Sequence, residues 1–519
     1  MARDVSNQLQ KKAVLLPELL AAVDPNKVRG NTDLSCTGLC YDSRRVQPGD
    51  VFFALPGAKT DGSRFVAEAL ERGALAVVAA PGAVSEQEQD TCVIEVANVR
   101  LAMAGMAARY YGNPAQGIPV VGVTGTNGKT TVTYLLESIL RQAGYRPAVL
   151  GTVAYRLGDE VHHPASHTTP ESVELMALIA DFRALGADAL IMEVSSHALA
   201  QHRVDGLAFS VAVFTNLTPE HLDYHRDIED YFQVKGRLFS ELLVGGKAVI
   251  NADDPYGRRL LALPVKAVAY GHDAACGLRP EIVTSGREGI HGNFVGDRGS
   301  VRIDSAMIGD FNVSNLLAAV AAGQQLDIAN ATIAAGVAAA GQVPGRLERV
   351  ANSKGVLALV DYAHTGDALE QVLTTLVKLE RGRLLTVVGC GGDRDPGKRP
   401  LMAAAAVKYS EVVIFTSDNP RTEDPLQILE QIRQGALAAG GQEVGLPDLA
   451  RGTRGFVVIP DRRIAIEAAV RLATAGDLLL VAGKGHEDYQ ILGTQRIHFD
   501  DREELQQAFA LAAGDEADV

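Results

Sequence analysis

Nine consecutive residues constrain this chain more than any other feature: Val123-Thr124-Gly125-Thr126-Asn127-Gly128-Lys129-Thr130-Thr131. The apolar run from Ile118 to Val123 enters them as a strand. Val132, Leu135, Leu136, Ile139 and Leu140 follow at the spacing of one helix face. A glycine turn between a strand and a helix points backbone N–H groups at an anion, and the helix N-terminus adds a favourable dipole. Lys129 can reach the terminal phosphates of a nucleotide, and the Thr130 hydroxyl can hold Mg²⁺. Gly125, Thr126, Asn127, Gly128, Lys129, Thr130 and Thr131 are therefore candidate ATP contacts. The strict Walker pattern asks for glycine where Val123 stands, and Gly122 and Gly125 supply the glycines instead. An ordinary glycine-rich turn is the bland alternative. The loop indicates nucleotide binding, and by itself it does not choose among kinase, GTPase, transport motor and ligase.

Around this loop the pattern of apolar strand, polar loop and amphipathic helix repeats almost throughout. That pattern predicts an α/β protein with mainly parallel sheets. The chain has 519 residues, more than one hydrophobic core usually serves. Two turn-rich stretches, 111–117 and 341–346, read as seams. They divide the chain into 1–115, 116–343 and 344–519. Strands are expected at Ala189 to Met192, Phe209 to Phe214, Val356 to Val360, Leu384 to Val388, Val412 to Phe415 and Leu478 to Val481. Polar residues follow the carboxyl end of each, where open α/β sheets bind ligands.

Charge narrows the partners. There are 63 acidic against 49 basic residues, a net charge of −14. A general nucleic-acid binder needs a basic face, so no nucleic-acid partner is expected. The stretch from Ala13 to Val23 is broken by Pro17 and Glu18. No segment reaches the roughly 20 apolar residues that span a bilayer, and no membrane insertion is expected. The five cysteines are scattered and odd in number, so reduced thiols in a cytoplasmic setting are expected.

Two further constellations carry chemistry. Glu193 follows an apolar strand, where an acid can hold Mg²⁺ beside a phosphate loop. A surface glutamate at a strand end is the alternative. His221, Asp223 and His225 crowd one loop, as in a metal or phosphate site or simply a polar loop. Without nearby thiolates, zinc is disfavoured.

Taken in order, these segments resemble the Mur ligase family. The resemblance runs from Asp42-Ser43-Arg44 through Thr124 to Thr131, Glu193 to His197, Thr215 to His225, Gly309 to Leu316, Pro344-Gly345-Arg346 and Asp361 to His364. It ends at Gly483-Lys484-Gly485-His486-Glu487 and covers nearly the whole chain. It implies three domains: one for the UDP end, a central P-loop ATPase-like parallel sheet, and a C-terminal Rossmann-like domain for the incoming amino acid. It implies ATP-dependent addition of meso-2,6-diaminopimelate to UDP-N-acetylmuramoyl-L-alanyl-D-glutamate, in peptidoglycan precursor synthesis, by a protein expected to be a monomer.

By motif match, Ser43 is expected at the uridine end. Thr168, Thr169, Ser195, Gln201 and Arg203 are expected on the sugar-peptide substrate, and Asn315, Arg346 and Asp361 near ATP. Lys235 matches the lysine that the family carbamylates, which turns a cation into an oxygen ligand suited to Mg²⁺. Lys129, Glu193, His221 and Lys235 are the implied catalytic residues. Thr130, Glu193, His221 and the Lys235 carbamate are the implied metal ligands. Two positions depart from the family: Gly366 stands where it has proline, and His167 where close relatives have asparagine.

Diaminopimelate carries a second carboxylate at its far end, which asks for a buried cationic fork. Asp418-Asn419-Pro420-Arg421 looks like the family's recognition motif, with Arg421 as the fork; a plain Asn-Pro turn is the alternative. Arg394, Gly483 and Glu487 are the remaining expected contacts, Glu487 for an ammonium group. Rival expectations are a lysine-adding ligase of the same family, a folylpolyglutamate-type ligase and a P-loop ATPase that makes no amide.

Overall fold

The computed structural model describes residues 13–57, 61–85, 91–158, 160–165, 167–222, 224–379 and 382–517. Asp223 lies outside them. Two compact units are present. The first runs to Arg279 and adds Val295–Val301 and Leu316–Gly336. The second holds Pro280–Phe294, Arg302–Asn315 and the chain from Val337 onward.

The first unit contains two large sheets and one short antiparallel pair, Val14–Leu15 with Ser35–Cys36. One has five strands, in the order Lys27–Arg29, Cys92–Glu95, Ala76–Ala79, Asp50–Phe53, Gly38–Cys40. The other places Val120–Thr124 between Ala189–Glu193 and Val211–Phe214, all parallel. Pro147–Leu150 extends it on one side, and Lys247–Asn251 then Ala267–Tyr270 extend it on the other. Ala154–Leu157 and Glu160–Pro164 close its far edge in antiparallel pairing. The chain thus leaves Val120–Thr124 to one side and returns on the other. That reversal opens a crevice at the strands' carboxyl ends.

One apolar core joins the two sheets. Val51 and Phe53 of the five-stranded sheet share it with Met103 and Met106 of helix Val99–Tyr110. Met176 and Ile179 of helix Ser172–Ala184 and Leu190 and Met192 of the central sheet belong to it too. Phe52, one residue out of phase, packs in a separate core on the opposite face. That alternation is the two-residue period of a strand. Because the core is continuous, the N-terminal and central segments form one compact body.

The second unit is doubly wound. Its sheet runs Glu348–Val350, Leu357–Asp361, Leu478–Ala482, Leu384–Cys390, Val412–Ser417, Gly455–Val458. Only the first pairing is antiparallel. Leu478, Leu480 and Ala482 face one core with helices Gly366–Val377, Lys398–Tyr409 and Pro425–Ala438. Leu479 and Val481 face another with helices Arg462–Leu472 and Asp501–Ala517. Strands buried on both faces explain the uninterrupted apolar runs in the sequence.

The expected strands all form, with ends shifted by a residue or two. Helix Gly366–Val377 begins at Gly366 itself, with the Thr365 hydroxyl accepting from the Ala368 N–H at 3.3 Å. The missing proline therefore costs the helix no cap. Four of the five cysteines are buried, and all five are thiols. Among the described residues no helix is long and apolar enough to cross a membrane.

Arg462 and Asp501 join the starts of the last two helices. The guanidinium donates from Nε and Nη2 to both carboxylate oxygens at 2.7 Å, with both side chains fully buried. Nη2 also donates to the Ala482 carbonyl at 3.0 Å. Asp501→Asn strands a buried cation and should cost about 3–5 kcal/mol, seen as a lower urea midpoint. The paired variant Arg462→Met/Asp501→Leu should recover most of that loss.

Candidate active site

The loop between Val120–Thr124 and helix Lys129–Gln142 is held open from beneath. Asn127 N–H donates to the Asn216 Oδ1 at 2.9 Å, and Thr126 N–H to the Asn216 carbonyl at 2.9 Å. The Thr215 hydroxyl donates to the Asn127 carbonyl at 2.6 Å. Gly125 has φ +146, and a Cβ there would lie 1.9 Å from the Thr215 Oγ1. Only glycine fits. Gly128 caps the helix in the left-handed region, and Thr130 and Thr131 are buried in its first turn.

Two lysines converge on this loop. Lys129 Nζ donates to the Gly125 carbonyl at 2.9 Å and the Thr126 carbonyl at 2.7 Å. Lys235, on helix Ile228–Ser240, donates to the same Gly125 carbonyl at 2.9 Å. Its Nζ stands 4.6 Å from the Tyr231 ring centre, and its side chain is buried. Burial, with the Lys129 charge beside it, holds Lys235 well below the ordinary lysine range.

Glu193 ends its strand opposite Val123 of the loop strand. Its side chain is buried, and its two oxygens accept from the Thr152 N–H and hydroxyl, each at 3.0 Å. Thr152 also meets the Thr168 hydroxyl at 3.1 Å. Thr169 donates to the Glu193 carbonyl at 2.8 Å and accepts from the Ser195 N–H at 3.2 Å. Arg203 donates to the Thr169 carbonyl at 2.9 Å and to the Gln201 Oε1 at 2.8 Å, and pairs with Glu171 at 2.9 Å. Thr168, Thr169, Ser195, Gln201 and Arg203 thus form one cluster beside Glu193. Ser43 belongs to another neighbourhood, where its hydroxyl donates to Glu68 at 2.8 Å. His167 meets Tyr155 through its backbone, its carbonyl accepting from the phenol at 2.6 Å.

His221 sits in the left-handed region with its ring 4.9 Å from His197. His225 is buried behind it, against the Ser196 hydroxyl at 3.0 Å and Asp230 at 3.5 Å. Burial depresses the His225 pKa despite Asp230. The His225 ring centre also lies 4.8 Å from that of Tyr231, tilted by 41°, and Tyr231 is the ring that covers Lys235. Among the described residues no group of three or more His, Cys, Asp or Glu could by itself hold a metal ion. Glu193 and Thr130 offer oxygen donors of the kind Mg²⁺ takes, one carboxylate and one hydroxyl. Mg²⁺ commonly completes its shell with phosphate and water, so this sparse set fits it.

In the second unit, Asp361 is buried at the end of Leu357–Asp361. Its oxygens accept from the Leu347 and Ala363 N–H groups, each at 2.8 Å. Burial raises its pKa, and nearby Arg346 opposes the rise. The Arg346 guanidinium stands 4.9 Å from the Tyr362 ring centre. Gly345 has φ +65, and a Cβ would fall 2.2 Å from the His486 nitrogen, so the glycine is obligatory. Asn315 is buried and donates to the Asn312 Oδ1 at 2.8 Å.

The expected amino-acid residues also gather. Arg421 donates to the Gly392 carbonyl at 2.8 Å. Asn419 donates to Glu487 at 2.9 Å and accepts from the Ile491 N–H at 2.9 Å. Asp418, Asn419 and Pro420 are buried, and Gly483 lies beside Asp418 with φ +114. Arg394 is exposed, on a loop tied to this one where the Thr422 hydroxyl donates to Asp393 at 2.8 Å. Sequence reasoning missed Lys484, which is fully buried and pairs with Glu487 at 3.1 Å and Asp418 at 3.5 Å. The glycines on either side of it were the available signal. It also missed Thr152 and Asn216, whose roles depend on neighbours distant in sequence.

Family models match three stretches in succession: "Mur ligase family, catalytic domain" at 35–111, "Mur ligase middle domain" at 123–323 and "Mur ligase, glutamate ligase domain" at 345–485. UDP-N-acetylmuramoyl-L-alanyl-D-glutamate–2,6-diaminopimelate ligase of Geobacter sulfurreducens is 52% identical over 506 residues, which covers 95% of this chain and 98% of the relative. The enzyme of that name from Geobacter metallireducens is 51% identical over 503 residues, with the same coverage of 95% and 98%. A solved structure of a ligase of that name is 33% identical, with a TM-score of 0.69, and the match covers 97% of this chain and 100% of the other. This chain belongs to the Mur ligase family.

Proposed function

We propose that this chain joins meso-2,6-diaminopimelate to UDP-N-acetylmuramoyl-L-alanyl-D-glutamate at the expense of ATP, in peptidoglycan precursor synthesis. The observation that carries the reading is the presence, in one chain, of a phosphate loop and a cluster of both charge signs. Arg421 suits a carboxylate, and Glu487 and Asp418 suit an ammonium group. An amino acid with two such ends is the matching ligand.

In the proposed reaction the glutamyl γ-carboxylate attacks the γ-phosphorus of ATP, and ADP leaves. The diaminopimelate amine then attacks the acyl phosphate carbonyl. The tetrahedral adduct loses phosphate and a proton to give the amide. Lys129, released from its two loop carbonyls, turns to the β- and γ-phosphates and offsets their charge. Thr168, Thr169, Ser195, Gln201 and Arg203 hold the sugar-peptide, and Ser43 the uridine end. Asn315, Arg346 and Asp361 contact ATP. Arg394, Arg421, Asn419, Gly483 and Glu487 hold the amino acid.

Mg²⁺ at Thr130, Glu193, His221 and a Lys235 carbamate would neutralise phosphate charge. The depressed pKa of Lys235 favours the neutral amine that carbamylation needs: Nζ bonds to CO₂ and loses one proton. We place the domain limits at 1–115, 116–343 and 344–519, in a cytoplasmic monomer.

Phosphate release from ATP should depend on both the UDP-dipeptide and diaminopimelate, with the tripeptide product seen by mass spectrometry. Lys129→Ala should lower it about a hundredfold or more while the circular dichroism spectrum holds. Release with lysine but not diaminopimelate would keep the ligase and overturn the assignment of Arg421. Equal release without any amino acid would indicate an ATPase of another kind.

Removing dissolved CO₂ should lower turnover, and bicarbonate should restore it. Acidification should deepen the loss, because protonating Lys235 removes the nucleophile. Lys235→Arg should be inactive and indifferent to bicarbonate; retained activity would remove the carbamate from the scheme.

Arg421→Lys keeps the charge but loses the planar fork. It should raise the diaminopimelate KM about tenfold or more, with the ATP KM unchanged. An unaltered diaminopimelate KM would take Arg421 out of recognition.

A further inference from the structure

His202 stands between two of the proposed substrate contacts, Gln201 and Arg203. Its φ is +53, in the left-handed region. Helix Ser196–Ala200 ends there in a paired-turn cap, with His202 N–H donating to the Leu199 carbonyl at 3.2 Å and Arg203 N–H to the Ala198 carbonyl at 2.9 Å. The left-handed residue of such a cap is usually glycine, because a Cβ is strained there. A histidine in that place draws attention to its side chain.

That side chain is held from two directions. Asn98 caps helix Val99–Tyr110, its Oδ1 accepting from the Leu101 N–H at 3.1 Å. This fixes the amide so that its Nδ2 faces His202 Nε2, at 3.0 Å. Nε2 therefore accepts, and Nδ1–H donates to Asp205 at 2.7 Å. Asp205 also accepts from Arg237 at 2.7 Å, and Arg237 donates to the Leu199 carbonyl of the same cap. Burial works to raise the Asp205 pKa, but its bonds to His202 and Arg237 prevail and hold it down. The backbone on either side of His202 is thus tied to an anchor built from Asp205 of its own turn and from two other helices.

We propose that His202 is a positioning residue that presents Gln201 and Arg203 to the UDP-dipeptide in one fixed arrangement. The proposal rests on the substrate assignment given above. Gln201 and Arg203 already bridge each other at 2.8 Å, and Arg203 reaches Thr169. Releasing the residue between them loosens both at once.

His202→Gly tests this, because glycine suits the left-handed backbone and removes only the anchor. It should raise the KM for UDP-N-acetylmuramoyl-L-alanyl-D-glutamate about tenfold, with the KM values for ATP and diaminopimelate within about twofold of the parent. Thermal stability should hold or rise. His202→Asn, which tolerates the same backbone and keeps a hydrogen-bonding side chain, should fall between the two. Arg203→Ala serves as the reference. If it raises the UDP-dipeptide KM and His202→Gly does not, or if His202→Gly raises all three KM values alike, the positioning role is overturned. If Arg203→Ala leaves that KM unchanged, the substrate assignment itself fails and the proposal goes with it.

Discussion

The carbonyl oxygen of Gly125 accepts from two lysines, and much of the first unit is arranged around that fact. Lys129 arrives from the helix after the loop and Lys235 from a helix a hundred residues further along the chain. The carbonyl can face them because Gly125 adopts a conformation closed to other residues, and Thr215 fills the space a Cβ would need. Two cations at one oxygen in a poorly solvated place repel each other. Burial first, and the Lys129 charge second, drive Lys235 toward its neutral form. Loop geometry, side-chain burial and the lowered pKa of one amine are consequently a single feature.

The second unit treats a buried lysine in the opposite way. Lys484 is as inaccessible as Lys235, yet it stands between the carboxylates of Asp418 and Glu487. Removing either carboxylate would leave a buried lysine with one ion-pair partner fewer. Each carboxylate is fixed by that contact, and Glu487 by Asn419 as well. The same residue type thus meets a second cation in one unit and two carboxylates in the other.

What the sequence disclosed follows from the range of the forces involved. Strands Val120–Thr124, Leu384–Cys390 and Leu478–Ala482 were legible because sheets buried on both faces require unbroken apolar runs. The phosphate loop was legible because its glycines, lysine and threonines are local in the chain. The links that complete the site are not local. Thr152 reaches Glu193 across 41 residues, and Asn216 reaches Asn127 across 89. Neither side chain has a spacing that betrays it, since the register of parallel strands brings the partners together. The division into units was hidden for a similar reason. A seam at 111–117 is plain in composition, but the core that joins both sides of it depends on packing between helices Val99–Tyr110 and Ser172–Ala184.

Sheet architecture also explains why the two candidate clusters occupy separate parts of one chain. In both large sheets the functional groups lie at or just beyond the carboxyl ends of parallel strands: Gly125, Glu193 and Thr215 in one, Asp361, Asp418 and Gly483 in the other. Parallel strands aim these groups at one rim and leave the opposite rim to connections. A rim of this kind suits one anionic or one zwitterionic ligand, and joining an acid to an amine needs both. A chain that only hydrolysed nucleotide would have no use for Arg421, Asn419, Glu487 and a fully buried Lys484 in the second sheet. Their mutual hydrogen bonds make them a preorganised cluster of both charge signs, which the proposed amide-forming reaction needs and a nucleotide switch built on the same loop does not.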